Sequence, residues 1–86
     1  MAAARARKQP DISTCSGRLA VRIRMLRERA GLSVEECVAL MQRYDHWLQP
    51  STLYAWENGQ ARPNIDAMPA FAKTVKVKLR TVFPDE

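Results

Sequence analysis

The chain is poor in the residues that build reaction centres. One histidine (His46), two cysteines (Cys15 and Cys37) and no cluster of acids supply neither a metal-ligand set nor a nucleophile with its base. Catalysis is therefore not expected, and no metal or cofactor is called for. Two cysteines, one in an amino-terminal arm and one on a helix, make a poor disulfide framework for so short a chain. Both are read as free thiols of a reducing compartment. Long apolar runs are missing as well, so neither a leader peptide nor a membrane span is expected, and the setting is read as cytoplasmic. Strand-like alternation is also lacking, and no sheet is expected.

What is present is helical periodicity and positive charge. A length of 86 residues allows one small domain. Leu19, Ile23, Leu26 and Ala30 recur at helical spacing, unlike the composition of a disordered chain. Lysine and arginine number 14 against 9 acids, a formal charge of +5, with a pI near 9.8. Such a balance favours a polyanionic partner, because Lys and Arg displace condensed counterions from phosphates. The cations gather in the arm (Arg5, Arg7, Lys8), the first helix (Arg18, Arg22, Arg24, Arg29) and the C-terminal segment (Lys73, Lys76, Lys78, Arg80). Solvated helix faces account for a share of them.

Residues 1–16 read as a flexible basic arm and residues 17–86 as the domain. Helix one starts at about Ser16 or Gly17 and closes at Gly31 as a left-handed cap. Ser33-Val34-Glu35-Glu36 is a capping box, which starts helix two at Ser33 and carries it through Cys37, Leu40 and Met41 to about Tyr44. A short third helix runs from Pro50, suited to a first turn, to Asn58-Gly59. The fourth carries Met68, Phe71, Ala72 and Val75. Asp66 is expected as its N-cap, since that places Pro69 in the tolerant first turn. A brief fifth element, Leu79 to Phe83, is stopped by Pro84.

Arg27, Gly31-Leu32-Ser33, Thr52-Leu53, Trp56-Glu57-Asn58-Gly59 and Pro63, taken in that spacing, resemble the phage repressor and Cro class of XRE-like helix-turn-helix DNA-binding domains. The resemblance runs from about Leu19 to Phe83. It implies an all-α, five-helix lambda-repressor-like bundle. Departures from the pattern fall at particular residues. Gln42 to Leu48 places about five extra residues in a connector that is usually tight. There Tyr44, His46 and Trp47 read either as a wing touching DNA or a partner, or as packing of the longer connector. Val34 replaces a phosphate-binding glutamine, and Lys76 and Lys78 replace a glycine stop and a Ser-like cap, so that the last helix is expected to fray.

The resemblance also implies roles for individual residues. A recognition helix at about 50–58 would offer Gln49, Ser51 and the Tyr54-Ala55 pair to base edges. Thr52 lies in the same helix, with packing as its plain alternative, and Leu53 reads as core. Asn58 and Arg62 would grip phosphates, and Ser33 with the first-turn amides of helix two would offer another anion site. Arg27 and Glu57 would form a partly buried structural ion pair, and Trp56 would belong to the core. The function implied is sequence-specific binding of double-stranded DNA by a small transcriptional regulator, a repressor or antitoxin-like autoregulator, acting as a homodimer. The alternative is a protein-interaction or toxin-neutralising module that keeps the fold without readout. Pro50, Val34 and Ala55 favour that alternative, whereas Arg62 and the basic arm oppose it.

Overall fold

A computed structural model of the chain describes residues 9–84. Arg5, Arg7 and Lys8 of the expected arm lie outside the described residues. Among the described residues five α-helices follow one another: α1 (Cys15–Arg29), α2 (Val34–Met41), α3 (Pro50–Glu57), α4 (Met68–Thr74) and α5 (Leu79–Val82). The described residues contain no strand. Fully buried Ile23, Cys37, Met41, Leu53, Met68, Phe71 and Val82 form one apolar core to which every helix contributes. α2 packs on α3 and α4, while α1 packs on α3 and α5.

α1 starts ahead of the expected boundary at residue 17 because Thr14 caps it. Its hydroxyl accepts from the Gly17 amide at 2.9 Å. That hydroxyl donates in turn to the Asp11 carbonyl, and Ser13 bonds the Asp11 carboxylate through both its amide and its hydroxyl. A tight turn at 11–14 therefore belongs to the folded structure. The inward stripe of α1 is Leu19, Ala20, Ile23, Leu26 and Arg27. Ala30, expected on that stripe, is exposed instead, because it is the C-cap where the chain turns away.

Four helices end in one device. The backbone enters the left-handed region at Gly31, Asp45, Gly59 and Lys76, with φ of 76°, 63°, 78° and 63°. At each site the next amide reaches back to a carbonyl five residues earlier: Leu32 to Arg27, His46 to Met41, Gln60 to Ala55 and Val77 to Ala72. This Schellman pattern satisfies carbonyls that a helix end leaves open. Glycine marks two of the four in the sequence. Asp45 closes a 3-10 turn, Gln42–Tyr44, that prolongs α2, and Lys76 closes α4 where a glycine stop is missing.

The fourth helix also begins differently from expectation. Asn64, not Asp66, supplies the cap, its side chain accepting from the Asp66 amide at 2.9 Å. It caps a 3-10 turn, Ile65–Ala67, that leads into α4. Pro69 does fall in the first turn of α4, where its missing amide costs nothing. Lys78 precedes α5 without a side-chain cap.

Candidate nucleic-acid interface

α3 is short, and its depth in the fold is set by what it buries. Leu53, Trp56 and Glu57, at helical spacing, face inward. The remaining positions look outward: Gln49, Ser51 and Tyr54 are exposed, while Thr52, Ala55 and Asn58 are half-buried. Gln49 stands at the N-cap in extended conformation and makes no side-chain cap bond. Its amide is left to the solvent side, with the Ser51 hydroxyl 3.5 Å from its Oε1.

Glu57 is the only acid between Gln49 and Arg62, and its side chain is fully withdrawn. The Arg27 guanidinium donates to both of its oxygens, from Nε at 2.7 Å and from Nη2 at 2.9 Å. A third bond runs from Arg27 Nη1 to the Leu32 carbonyl at 2.7 Å. One guanidinium thus ties α1, the turn into α2 and α3 together. The bonds to Glu57 hold the Arg27 pKa above its ordinary value. Trp56, as expected from the sequence, is core and only 5% exposed.

Beyond α3, Gly59 lies against Pro10: a Cβ there would come within 2.7 Å of the Pro10 Cα. The turn at 11–14 and the loop 59–62 are consequently neighbours. They enclose a cleft of about 280 Å³ lined by Asp11, Thr14, Ser16, Gly17 and the loop, with Arg62 exposed on its wall. The Asp11 carboxyl in this cleft is held below its usual range by the Ser13 hydroxyl and amide that donate to it.

Ser33, the N-cap of α2, is already occupied. Its hydroxyl accepts from the Glu36 amide at 3.0 Å, and the Glu36 carboxylate accepts from the Ser33 amide at 2.8 Å. The capping box is as read from the sequence. Its own carboxylate takes the position where an external anion would meet the Ser33 amide, and Glu35 adds a second negative charge to the same turn.

Comparison with family models decides the class. A helix-turn-helix domain model matches residues 18–81, from α1 into α5. The chain belongs to that helix-turn-helix family. α2 and α3 both lie inside the matched span. Comparison with curated proteins and with solved structures finds no significant match. Among the described residues no group of three or more His, Cys, Asp or Glu side chains could hold a metal ion, and no helix is long and apolar enough to cross a membrane.

In the connector between α2 and α3, Trp47 stands out to solvent while His46 is half-buried. Trp47 is 64% exposed and Tyr44 43% exposed, whereas Leu48 is buried in the core. Tyr44 instead lies beneath the Lys73 ammonium, 5.6 Å from its ring centroid. Thr14 and Pro10 were missed by sequence reasoning as parts of the site. Ser13-Thr14 before the helical run was the available signal, since such residues favour N-caps. Nothing local in the sequence announced the contact of Pro10 with Gly59.

Proposed function

We propose that this helix-turn-helix protein is a small transcriptional regulator that binds duplex DNA sequence-specifically, with α3 in the major groove. One observation carries the reading: the only carboxylate of the recognition segment is turned inward onto Arg27. The outer side of α3 therefore presents neutral hydrogen-bonding groups with Arg62 at its exit, a surface suited to a polyanion. In this reading Gln49 bonds an adenine edge, Ser51 a neighbouring base, and Tyr54 with Ala55 meets a thymine methyl. Thr52 sets the position of that helix. Asn58 and Arg62 hold phosphates and fix register. Ser33 serves as a cap that orients α2 rather than as a phosphate ligand.

A unit this small reads few base pairs, so two copies would act together on half-sites about 34 Å apart. A repressor or antitoxin-like autoregulator fits such a compact reader. The test is the salt dependence of binding to duplex DNA. Each phosphate contact adds about 0.9 to the slope of log affinity against log salt, so four to six contacts give roughly −4 to −5. Arg62→Ala should flatten the slope by about one unit on every sequence. Gln49→Ala and Ser51→Ala should each cost about 1–3 kcal/mol on a site selected from a random pool, and almost nothing on random duplex.

The competing reading is a protein-interaction module, such as a toxin-neutralising partner. It draws on the outward face of α1, where Val21 is 44% and Met25 42% exposed beside Ile12. Failure of a random duplex pool to enrich any site, together with a salt slope near zero, would decide for it.

A further inference from the structure

Resting on the DNA-binding reading of α3, we propose that Trp47 is a second and sequence-independent DNA contact. Its ring lies on the deoxyribose of a nucleotide bordering the groove that α3 enters, and its indole N–H donates to that nucleotide's phosphate. A large apolar ring that remains 64% exposed is unusual in a connector whose other parts are pinned. Tyr44 is held by Lys73, and Leu48 is 7% exposed in the core. Between them Asp45 is in the left-handed region, with its amide on the Gln42 carbonyl at 3.0 Å and the His46 amide on the Met41 carbonyl at 3.3 Å. The indole is thus presented by a fixed backbone, so little ordering is needed when a partner arrives.

Position and chemistry indicate the partner. Trp47 precedes the α3 N-cap, Gln49, by two residues, so their Cα atoms are within about 7 Å of each other. When the N-terminal end of α3 enters a major groove, residues just before it stand over the groove wall, where sugars and phosphates are found. An indole can donate but not accept, and phosphate oxygens only accept. The exposed Arg43 and Asp45 in the same turn offset each other in charge, so packing and the N–H bond carry the contact. Sugar and phosphate are the same at every step, and the contact carries no sequence information.

The chain's two tryptophans make this measurable, because Trp56 is 5% exposed and Trp47 is open. Acrylamide quenching of the free protein should report Trp47, and saturating duplex DNA should abolish most of that quenching. Trp47→Ala should keep the wild-type helicity and weaken binding to selected and random duplexes by the same factor, about three- to tenfold. Trp47→Phe, which retains a ring without a donor, should fall between. Unchanged quenching in the complex, with Trp47→Ala binding as tightly as wild type, would overturn the contact. A loss confined to the selected sequence would overturn its backbone character. Arg62→Ala run in parallel separates the two readings: if it flattens the salt slope while Trp47→Ala does nothing, DNA binding stands and this contact falls. Wild type that binds no duplex removes both.

Discussion

Both carboxylate oxygens of Glu57 are held by the guanidinium of Arg27, thirty residues earlier in the chain, at 2.7 and 2.9 Å. Removing one member of such a buried pair strands the other, at a cost of about 3–5 kcal/mol. The two truncations should not be equal. After Glu57→Ala, the long Arg27 side chain keeps its bond to the Leu32 carbonyl and can extend toward water. After Arg27→Ala, Glu57 is left 1% exposed with a charge it cannot hydrate. Arg27→Ala should therefore unfold at lower urea than Glu57→Ala. Arg27→Met with Glu57→Leu should recover much of the loss. Small and additive effects in this cycle would show that the pair does not hold α3 in place.

Lys76 occupies a left-handed position, φ 63°, where a Cβ costs roughly 1–2 kcal/mol. Glycine removes that strain but adds freedom to the unfolded chain, about 0.5–1 kcal/mol. Lys76→Gly should on balance stabilise by up to about 1 kcal/mol, which for a domain of this size raises Tm by roughly 4–8 °C. Asp45→Gly should gain less, because aspartate tolerates this region. An unchanged or lowered Tm for Lys76→Gly would indicate that the α4 terminus does not adopt this cap.

The same pair of caps shows where the sequence was legible. Gly31 and Gly59 could be read as helix stops because glycine advertises a positive φ, whereas Asp45 and Lys76 take the same conformation with side chains that do not announce it. Capping by Ser33 and the start at Pro50 were visible because they are local. Asp66 reads as the cap where Asn64 holds that role, since either side chain can cap and the intervening 3-10 turn decides which. The family resemblance placed Leu53 and Trp56 inward correctly, whereas periodicity put Ala30 inside and the lengthened connector left Trp47 open to two readings. Exposure depends on neighbours distant in sequence. Long-range contact also explains why Pro10 was assigned to a loose arm: only the fold brings Gly59 to it.

Cys37 is buried in the core, and desolvation pushes its thiol up to about 11 from 9.0. Between those values the unfolded thiol ionises while the folded one stays protonated, so the unfolded state binds fewer protons and stability falls as pH rises. The loss reaches about 2–3 kcal/mol by the upper end of that window and is absent below it. Cys37→Ala should reduce the alkaline slope by this amount relative to wild type, whatever it costs in packing. Near pH 8 a thiol reagent should modify exposed Cys15 and spare Cys37 until denaturant is added. Equal reactivity of the two would contradict the burial.

Gly17 tests whether the turn at 11–14 is part of the folded unit. Inside an ordinary helix, Gly→Ala stabilises by about 1 kcal/mol. Here an added Cβ would fall on the Asp11 carbonyl, the acceptor for the Thr14 amide at 3.1 Å and the Thr14 hydroxyl at 2.9 Å. Accommodating it means pushing that turn away, together with the bond from Arg18 Nη1 to the Ile12 carbonyl at 3.1 Å. Gly17→Ala should reverse the usual sign and destabilise by about 1–2 kcal/mol. Thr14→Ala, which loses the cap without adding bulk, should cost about 1 kcal/mol. Because the displaced turn forms one wall of the cleft that carries Arg62, Gly17→Ala should also weaken DNA binding more than Thr14→Ala does. Melting curves and duplex titrations of the two variants check both statements. If alanine at residue 17 stabilises the protein, the turn is not docked on α1 and the fold begins where the helix does.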